Sequence, residues 1–333
     1  MNKSIILSLG VFGILLVTTF YFKCSAQENY TIVHDPVAIE ADGSYYLFNT
    51  GVGIASLKSK DMISWQYLGP VFKSSPEWAK KEVPKFDGNI WAPDISFHNG
   101  KYYLYYSISS FASNRSCIGV ATNATLNHSN PEFMWKDYGK IIESVPGRDN
   151  WNAIDPNLIF DENGVPWIAF GSFWGGLKLV KMNNDLLSIA KPEEWHTIAS
   201  RERDRFLDET DPGDAAIEAP FIYRKNGYFY LFASYDLCCR GEKSNYNVRV
   251  GRSKTLTGPY LDKSGVSMLN GGGTLILSGD ETFYGVGHCA ISNLNNDDYL
   301  LCHGYLKKDK GKPILITKKI FWDNEGWPIL ISK

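Results

Sequence analysis

Five residues able to carry charge or move a proton recur along this 333-residue chain at nearly constant intervals: Asp35, Asp94, Asp155, Glu218 and His288 lie 59, 61, 63 and 70 residues apart. Each heads the same local pattern, in which an acidic residue or His, usually beside Pro, enters an apolar stretch. Four carboxyl groups and an imidazole gathered in one confined place cannot all keep their solution protonation states. Burial and like charge hold protons on some carboxyls, and opposite charge strips them from others. Such a set suits chemistry that needs one protonated and one ionised carboxyl at once. Hydrolysis of a glycosidic bond with inversion is of that kind: an acid protonates the leaving oxygen, and a carboxylate about 6.5–9.5 Å away activates water on the opposite face of the sugar. A single Asp before Pro more often only caps a turn. Recurrence at a fixed interval is what gives these residues weight.

Bringing residues so far apart in sequence together requires a repeated element. His34-Asp35-Pro36-Val37 precedes Ser44-Tyr45-Tyr46-Leu47-Phe48, Ala92-Pro93-Asp94-Ile95 precedes Lys101-Tyr102-Tyr103-Leu104-Tyr105, and Ile154-Asp155-Pro156-Asn157 precedes Val165-Pro166-Trp167-Ile168-Ala169. Ile217-Glu218-Ala219-Pro220 leads into Gly227-Tyr228-Phe229-Tyr230-Leu231, and Gly287-His288-Cys289-Ala290 into Asp298-Tyr299-Leu300-Leu301. Asp42-Gly43, Asn99-Gly100, Asn163-Gly164 and Asn226-Gly227 stand between the two stretches of the first four units and demand tight hairpins. Further strands at 117–121, 177–181 and 247–251 bring each unit to about four. The spacing predicts an all-β fold, a five-bladed β-propeller with antiparallel four-stranded blades. The first strand of each blade lies nearest the axis, so the five leading residues are expected to face one central cavity.

Composition agrees with an ordinary β fold and narrows the partners. The chain has 19 Tyr, 18 Phe and 10 Trp, a load that suits strands and sugar-stacking surfaces. With 34 Lys and Arg against 36 Asp and Glu it has no basic field to hold nucleic acid. Lys3, the apolar run 5–22 and the small residues before Gln27 have the layout of a secretory signal cleaved after Ala26. An uncleaved anchor is the alternative, since the run just spans a bilayer of roughly 30 Å. Lipidation at Cys24 is a lesser one, because Tyr21, Phe22 and Lys23 match poorly the small residues expected there. Beyond the signal, Cys117, Cys238, Cys239, Cys289 and Cys302 form no framework of disulfides and no zinc motif. Cys238 and Cys239 are adjacent: either they close a strained ring or they are two buried thiols.

The motifs around these acids resemble those of glycoside hydrolase family 43, over residues 28–333. Asp35 in His34-Asp35-Pro36, Asp155 in Trp151-Asn152-Ala153-Ile154-Asp155-Pro156-Asn157 and Glu218 in Ile217-Glu218-Ala219-Pro220-Phe221 are similar to its three signatures. Trp91-Ala92-Pro93-Asp94, Ser113-Asn114-Arg115-Ser116, Gly171-Ser172-Phe173-Trp174 and Cys238-Cys239-Arg240-Gly241 resemble most the endo-acting α-1,5-L-arabinanases of the family. The resemblance implies one catalytic propeller with Asp35 as general base, Glu218 as general acid and Asp155 as the carboxylate that tunes and orients the acid. It implies a calcium ion on the axis beside His288, and a substrate groove lined by His34, Trp91, Phe111, Asn157, Ser172 and Arg240. Asp94 receives no chemical role from it and is read as structural. The implied protein is a monomer, secreted or held at the periplasm or cell surface, that cuts internal bonds of arabinan. Exo-acting α-L-arabinofuranosidases or β-xylosidases of the family, and a propeller lectin without activity, are the alternatives. The absence of a C-terminal β-sandwich favours the endo reading, and three retained carboxylates disfavour the lectin. Gly51-Val52-Gly53-Ile54 and the charged segment 201–214 depart from the pattern, which bears on subsite preference.

Overall fold

The second strand of every hairpin is an almost unbroken apolar and aromatic run, such as Tyr102-Tyr103-Leu104-Tyr105-Tyr106, and a strand of that kind needs cover on both faces. The computed structural model describes residues 30–331 apart from 205, 209, 210 and 212, and it supplies that cover with the five sheets of a β-propeller. Blade 1 consists of Val37–Ala41, Ser44–Asn49, Ala55–Ser59 and Gln66–Pro70, all antiparallel. Blade 2 (Asn89–His98, Lys101–Ile108, Ser116–Asn123, Lys136–Ser144) gains a fifth, two-residue strand, Gly51–Val52, which ties it to blade 1. Blades 3, 4 and 5 begin with Asn157–Phe160, Ile217–Lys225 and Phe283–Leu294 and have four strands each. The expected export signal, residues 1–26, lies outside the described residues. Among the described residues no helix is long and apolar enough to cross a membrane.

Side chains of each second strand alternate between two neighbours. Tyr103 and Tyr105 pack with Leu158, Ile168 and Phe170 of blade 3, whereas Leu104 and Tyr106 pack with Val37, Tyr46 and Phe48 of blade 1. Trp167 and Leu179 meet Phe229 and Leu231, Tyr230 and Phe232 meet Leu300 and Cys302, and Leu294 and Leu301 meet Ala38 and Leu47. Five interblade cores result, and the fifth closes the ring. The Leu315 N–H donates to Thr31 O (2.8 Å) beside the Ile32–Ile314 bridge, which secures that seam. Burial of one such side chain stabilises by about 1.5–3 kcal/mol, so these interfaces outweigh any single turn. The hairpins follow the Asx-Gly signal where it is clean. Both central residues have positive φ at Asp42-Gly43 (49° and 60°), Asn99-Gly100 (47° and 76°) and Asn226-Gly227 (50° and 73°), as type I′ turns require.

The head of each first strand is kinked in a way the pattern did not disclose. Asp35 (φ 53°), Ala92 (46°), Asp155 (59°), Ala219 (54°) and His288 (50°) all adopt left-handed backbone. An L-residue there costs about 1–2 kcal/mol. In each case the strained N–H donates to a side chain of the preceding blade: Asp35 to His303 Nδ1 (3.2 Å), Ala92 to Thr50 Oγ1 (2.8 Å), Asp155 to Ser107 Oγ (3.0 Å) and His288 to Ser234 Oγ (2.8 Å). For Ala219 the acceptor is Asp155 Oδ2 (3.1 Å).

This ring corrects the expected equivalence of the five leading residues. Ala92, not Asp94, corresponds to Asp35 and Asp155, because the pairing slips between Trp91 and Asp94. Asp94 therefore does not join the central cavity. It lies in a narrower channel with Val37, Asn157 and Phe221, where its carboxylate accepts from Leu158 N–H (2.8 Å) and Asn157 Nδ2 (3.4 Å). Asn157 Oδ1 accepts from Ile222 N–H (2.8 Å), so three blades are tied in series. Burial pushes the Asp94 carboxyl up to about 7 against those two hydrogen bonds. Its ordinary value is about 3.9, so the folded chain holds an extra proton between about pH 4 and 7, and stability falls as pH rises through that window. Asp94→Asn is expected to remove that slope, worth at most about 4 kcal/mol. Urea unfolding of parent and variant at about pH 4.5 and 7.5 measures it; equal slopes would refute the assignment.

Candidate active site

The kinks turn Asp35, Asp155 and His288 toward one cavity of about 450 Å³, and Glu218, one residue before its own kink, reaches the same space. Of the residues expected to touch substrate, His34, Trp91, Phe111, Ser172 and Arg240 line this cavity. Phe111 stands at its mouth, 76% exposed. Asn157 does not line it. Its amide is used between blades, as described above.

Asp35 is buried among donors. Its Oδ1 lies 2.9 Å from His34 Nδ1 and 3.0 Å from His288 Nδ1, and Thr50 donates its hydroxyl to Oδ2 at 2.5 Å. Burial alone would raise this carboxyl, but the charge of His288 and the hydrogen bonds of His288 and His34 carry it well below the usual carboxylate range. Asp35 is thus held as an ionised carboxylate. His288 is its counterpart: burial opposes its charge, yet Asp35 and then Asp155 push it up to about 9. His303 is different. Its Nδ1 accepts the Asp35 N–H, and burial holds it well below its ordinary value, so it is neutral.

Asp155, in the same cavity, holds a proton. Burial pushes Asp155 up to about 8; His288 opposes this, and the charges of Glu218 and Asp35 add to it. Glu218 is half-buried and grips two hydroxyls: Ser172 donates to Oε2 (2.8 Å) and Tyr246 to Oε1 (2.6 Å). Tyr246 is buried and held well above its ordinary value by that burial and by Glu218, so it remains a donor. Sequence reading missed Thr50, Tyr246, His303 and Tyr305, which sit in no acidic motif. Gly287 offers one retrospective signal. A Cβ there would meet the Tyr246 ring at 2.1 Å, so the glycine leaves room for the tyrosine that reaches Glu218.

For calcium the protein offers little. His288 Nδ1 is engaged with Asp35, which leaves Nε2, and calcium prefers six to eight oxygens. Among the described residues the only group with ligand spacing is His34, Asp35 and His303, whose donor atoms are already committed to one another. The residues do not fit a protein-built calcium cage. A hydrated ion against His288 Nε2, in place of its proton, is the single arrangement they admit.

Residues 30–328 match the family Glycosyl hydrolases family 43. The chain belongs to glycosyl hydrolases family 43. Similar family members include an extracellular exo-α-(1→5)-L-arabinofuranosidase of Cellvibrio japonicus, 51% identical over 93% of this chain and 89% of the relative. An extracellular endo-α-(1→5)-L-arabinanase of Bacillus subtilis is 43% identical over 89% and 87%. A solved Cellvibrio cellulosa α-L-arabinanase complexed with arabinohexaose superposes with a TM-score of 0.90 at 50% identity, covering 91% of this chain and 96% of that one.

Within this family 43 site, the hydroxyl on Glu218 is the testable support. Leaving a buried polar group without its hydrogen-bond partner costs about 1–3 kcal/mol. Tyr246→Phe is expected to lower kcat/KM by roughly ten- to a hundredfold with the fold intact. Gly287→Ala should move activity the same way by displacing the ring. Steady-state kinetics with circular dichroism reads both, and full activity in Tyr246→Phe would overturn the role.

Proposed function

We propose that this chain hydrolyses the α-1,5-L-arabinofuranosidic bonds of arabinan with inversion at the anomeric carbon. The observation that carries the reading is the presence, in the lining of one cavity, of an ionised Asp35 fixed by three side chains and a half-buried Glu218 fixed by two hydroxyls. Asp35 takes a proton from water as that water attacks the anomeric carbon, and Glu218 delivers one to the leaving oxygen. Asp155 keeps a proton up to about pH 8 beside that acid and, through the Ala219 N–H, fixes the backbone next to it. Trp91, Phe111 and Arg240 hold the sugar chain along the opening. Names of the similar enzymes, all acting on arabinan, support the substrate.

The mode of attack has two readings. Internal cleavage is what the loop motifs imply; exo action is favoured by the greater identity to the exo-acting relative, 51% against 43%. Release outside the cell as a monomer goes with either, and both of these relatives are extracellular. A calcium ion enters the proposal only as a hydrated ion at His288 Nε2, where its charge would support the ionised form of Asp35.

Linear arabinan digested with the purified protein, with products resolved over time, decides the mode. Mixed oligomers at the earliest times mark endo action, and a single short product from the start marks exo action. Glu218→Gln is expected to lower kcat by about a thousandfold while the unfolding midpoint stays within a few degrees. Proton NMR of the first product should show the inverted anomer. A fully active Glu218→Gln variant, or a retained anomer, would sink the assignment.

A further inference from the structure

Cys238 and Cys239 are bonded to one another, at the wall of the cavity, and are not the pair of buried thiols that the sequence left open. Cys239 is exposed and has left-handed backbone, φ 63°. Its N–H donates to Tyr305 Oη at 2.7 Å. Two backbone donors then constrain the protons of the surrounding network. The Asp35 N–H donates to His303 Nδ1, so the proton of that neutral ring is on Nε2, which donates to Tyr305 Oη at 3.1 Å. With two donors already pointing at its oxygen, the Tyr305 hydroxyl proton has His34 Nε2 as its near acceptor, 2.9 Å away, and Cys239 Sγ as a distant one at 3.9 Å. His34 therefore carries its proton on Nδ1, which faces Asp35 Oδ1 at 2.9 Å. The His34 ring is also stacked on His303, with centroids 3.8 Å apart.

We infer that the Cys238–Cys239 disulfide is a positioning device for Asp35, acting through Tyr305 and His34. A bond between neighbouring cysteines closes a small ring that includes their own peptide group. That ring restricts the backbone torsions on either side and keeps Cys239 in a conformation an L-residue does not favour. The Cys239 N–H is thereby aimed at Tyr305. Without it, the tyrosine oxygen has one donor fewer, its hydroxyl can turn elsewhere, and His34 loses the acceptor contact that selects its tautomer. A His34 protonated on Nε2 presents a lone pair, not a donor, to Asp35. Tyr305 and His34 are positioning residues in this scheme. The inference rests on the reading of Asp35 as the general base.

A dithiol tests it directly. In thiol–disulfide exchange its two thiols become one disulfide, and Cys238 and Cys239 each gain a hydrogen. Cys117, Cys289 and Cys302 are buried free thiols, so among the described cysteines the reagent changes one bond. The full-length protein is assayed on linear arabinan, oxidised and in dithiothreitol, as parent and as Tyr305→Phe. The expected result is a roughly tenfold lower kcat on reduction with KM within twofold, recovered on reoxidation. Tyr305→Phe should show a similar loss and no further loss on reduction, since coupled residues are not additive. Long-range proton–nitrogen NMR should show His34, identified by its absence in His34→Gln, passing from the Nδ1–H form to a mixture on reduction. Unchanged kcat, a change confined to KM, additive losses or an unchanged His34 spectrum would each overturn the inference. An active Asp35→Asn variant would instead sink the base assignment, so the two failures are read apart.

Discussion

The whole site depends on five strained peptide groups handed from blade to blade. At the head of each first strand an L-residue takes left-handed backbone, and its N–H is satisfied only by a side chain of the blade before it. The kink does two things at once. At Asp35, Asp155 and His288 it turns the side chain into the cavity, and it makes the geometry of the two carboxyls there a function of the neighbouring blade. Asp155 shows this most plainly, since the same carboxylate that faces the cavity also accepts the Ala219 N–H beside the acid Glu218.

Electrostatics then follow from who stands next to whom. Asp35 and Asp155 occupy equivalent, equally buried positions, yet the first is held ionised and the second keeps its proton. The difference is local. Asp35 has two imidazoles and a hydroxyl on its oxygens, whereas Asp155 has one backbone N–H and the charges of Glu218 and Asp35 around it. One cavity thus keeps an ionised carboxylate and a protonated one apart.

Much of this was legible in the residues. Asp-Gly and Asn-Gly pairs mark hairpins because type I′ turns need positive φ twice, and the Tyr-rich second strands announce sheets covered on both faces. The three acids were readable because their motifs repeat at blade spacing. The bulge in blade 2 was not, since one slipped residue leaves the hydrophobic pattern intact while it moves Asp94 from the cavity to a buried tie with Asn157. Tyr246 and Thr50 escaped for another reason: a hydroxyl that supports a carboxylate through space has no periodicity, and only the contact reveals it.

The seam of the ring carries a temporal meaning. His34 and Thr50 of the first blade hold Asp35, but two more of its partners, His288 and His303, come from the last blade, and the two blades are joined where Thr31 pairs with Leu315. A ribosome must therefore release most of the polypeptide before Asp35 acquires His288 and His303. The full set of contacts on Asp35 and the closure of the ring arrive together.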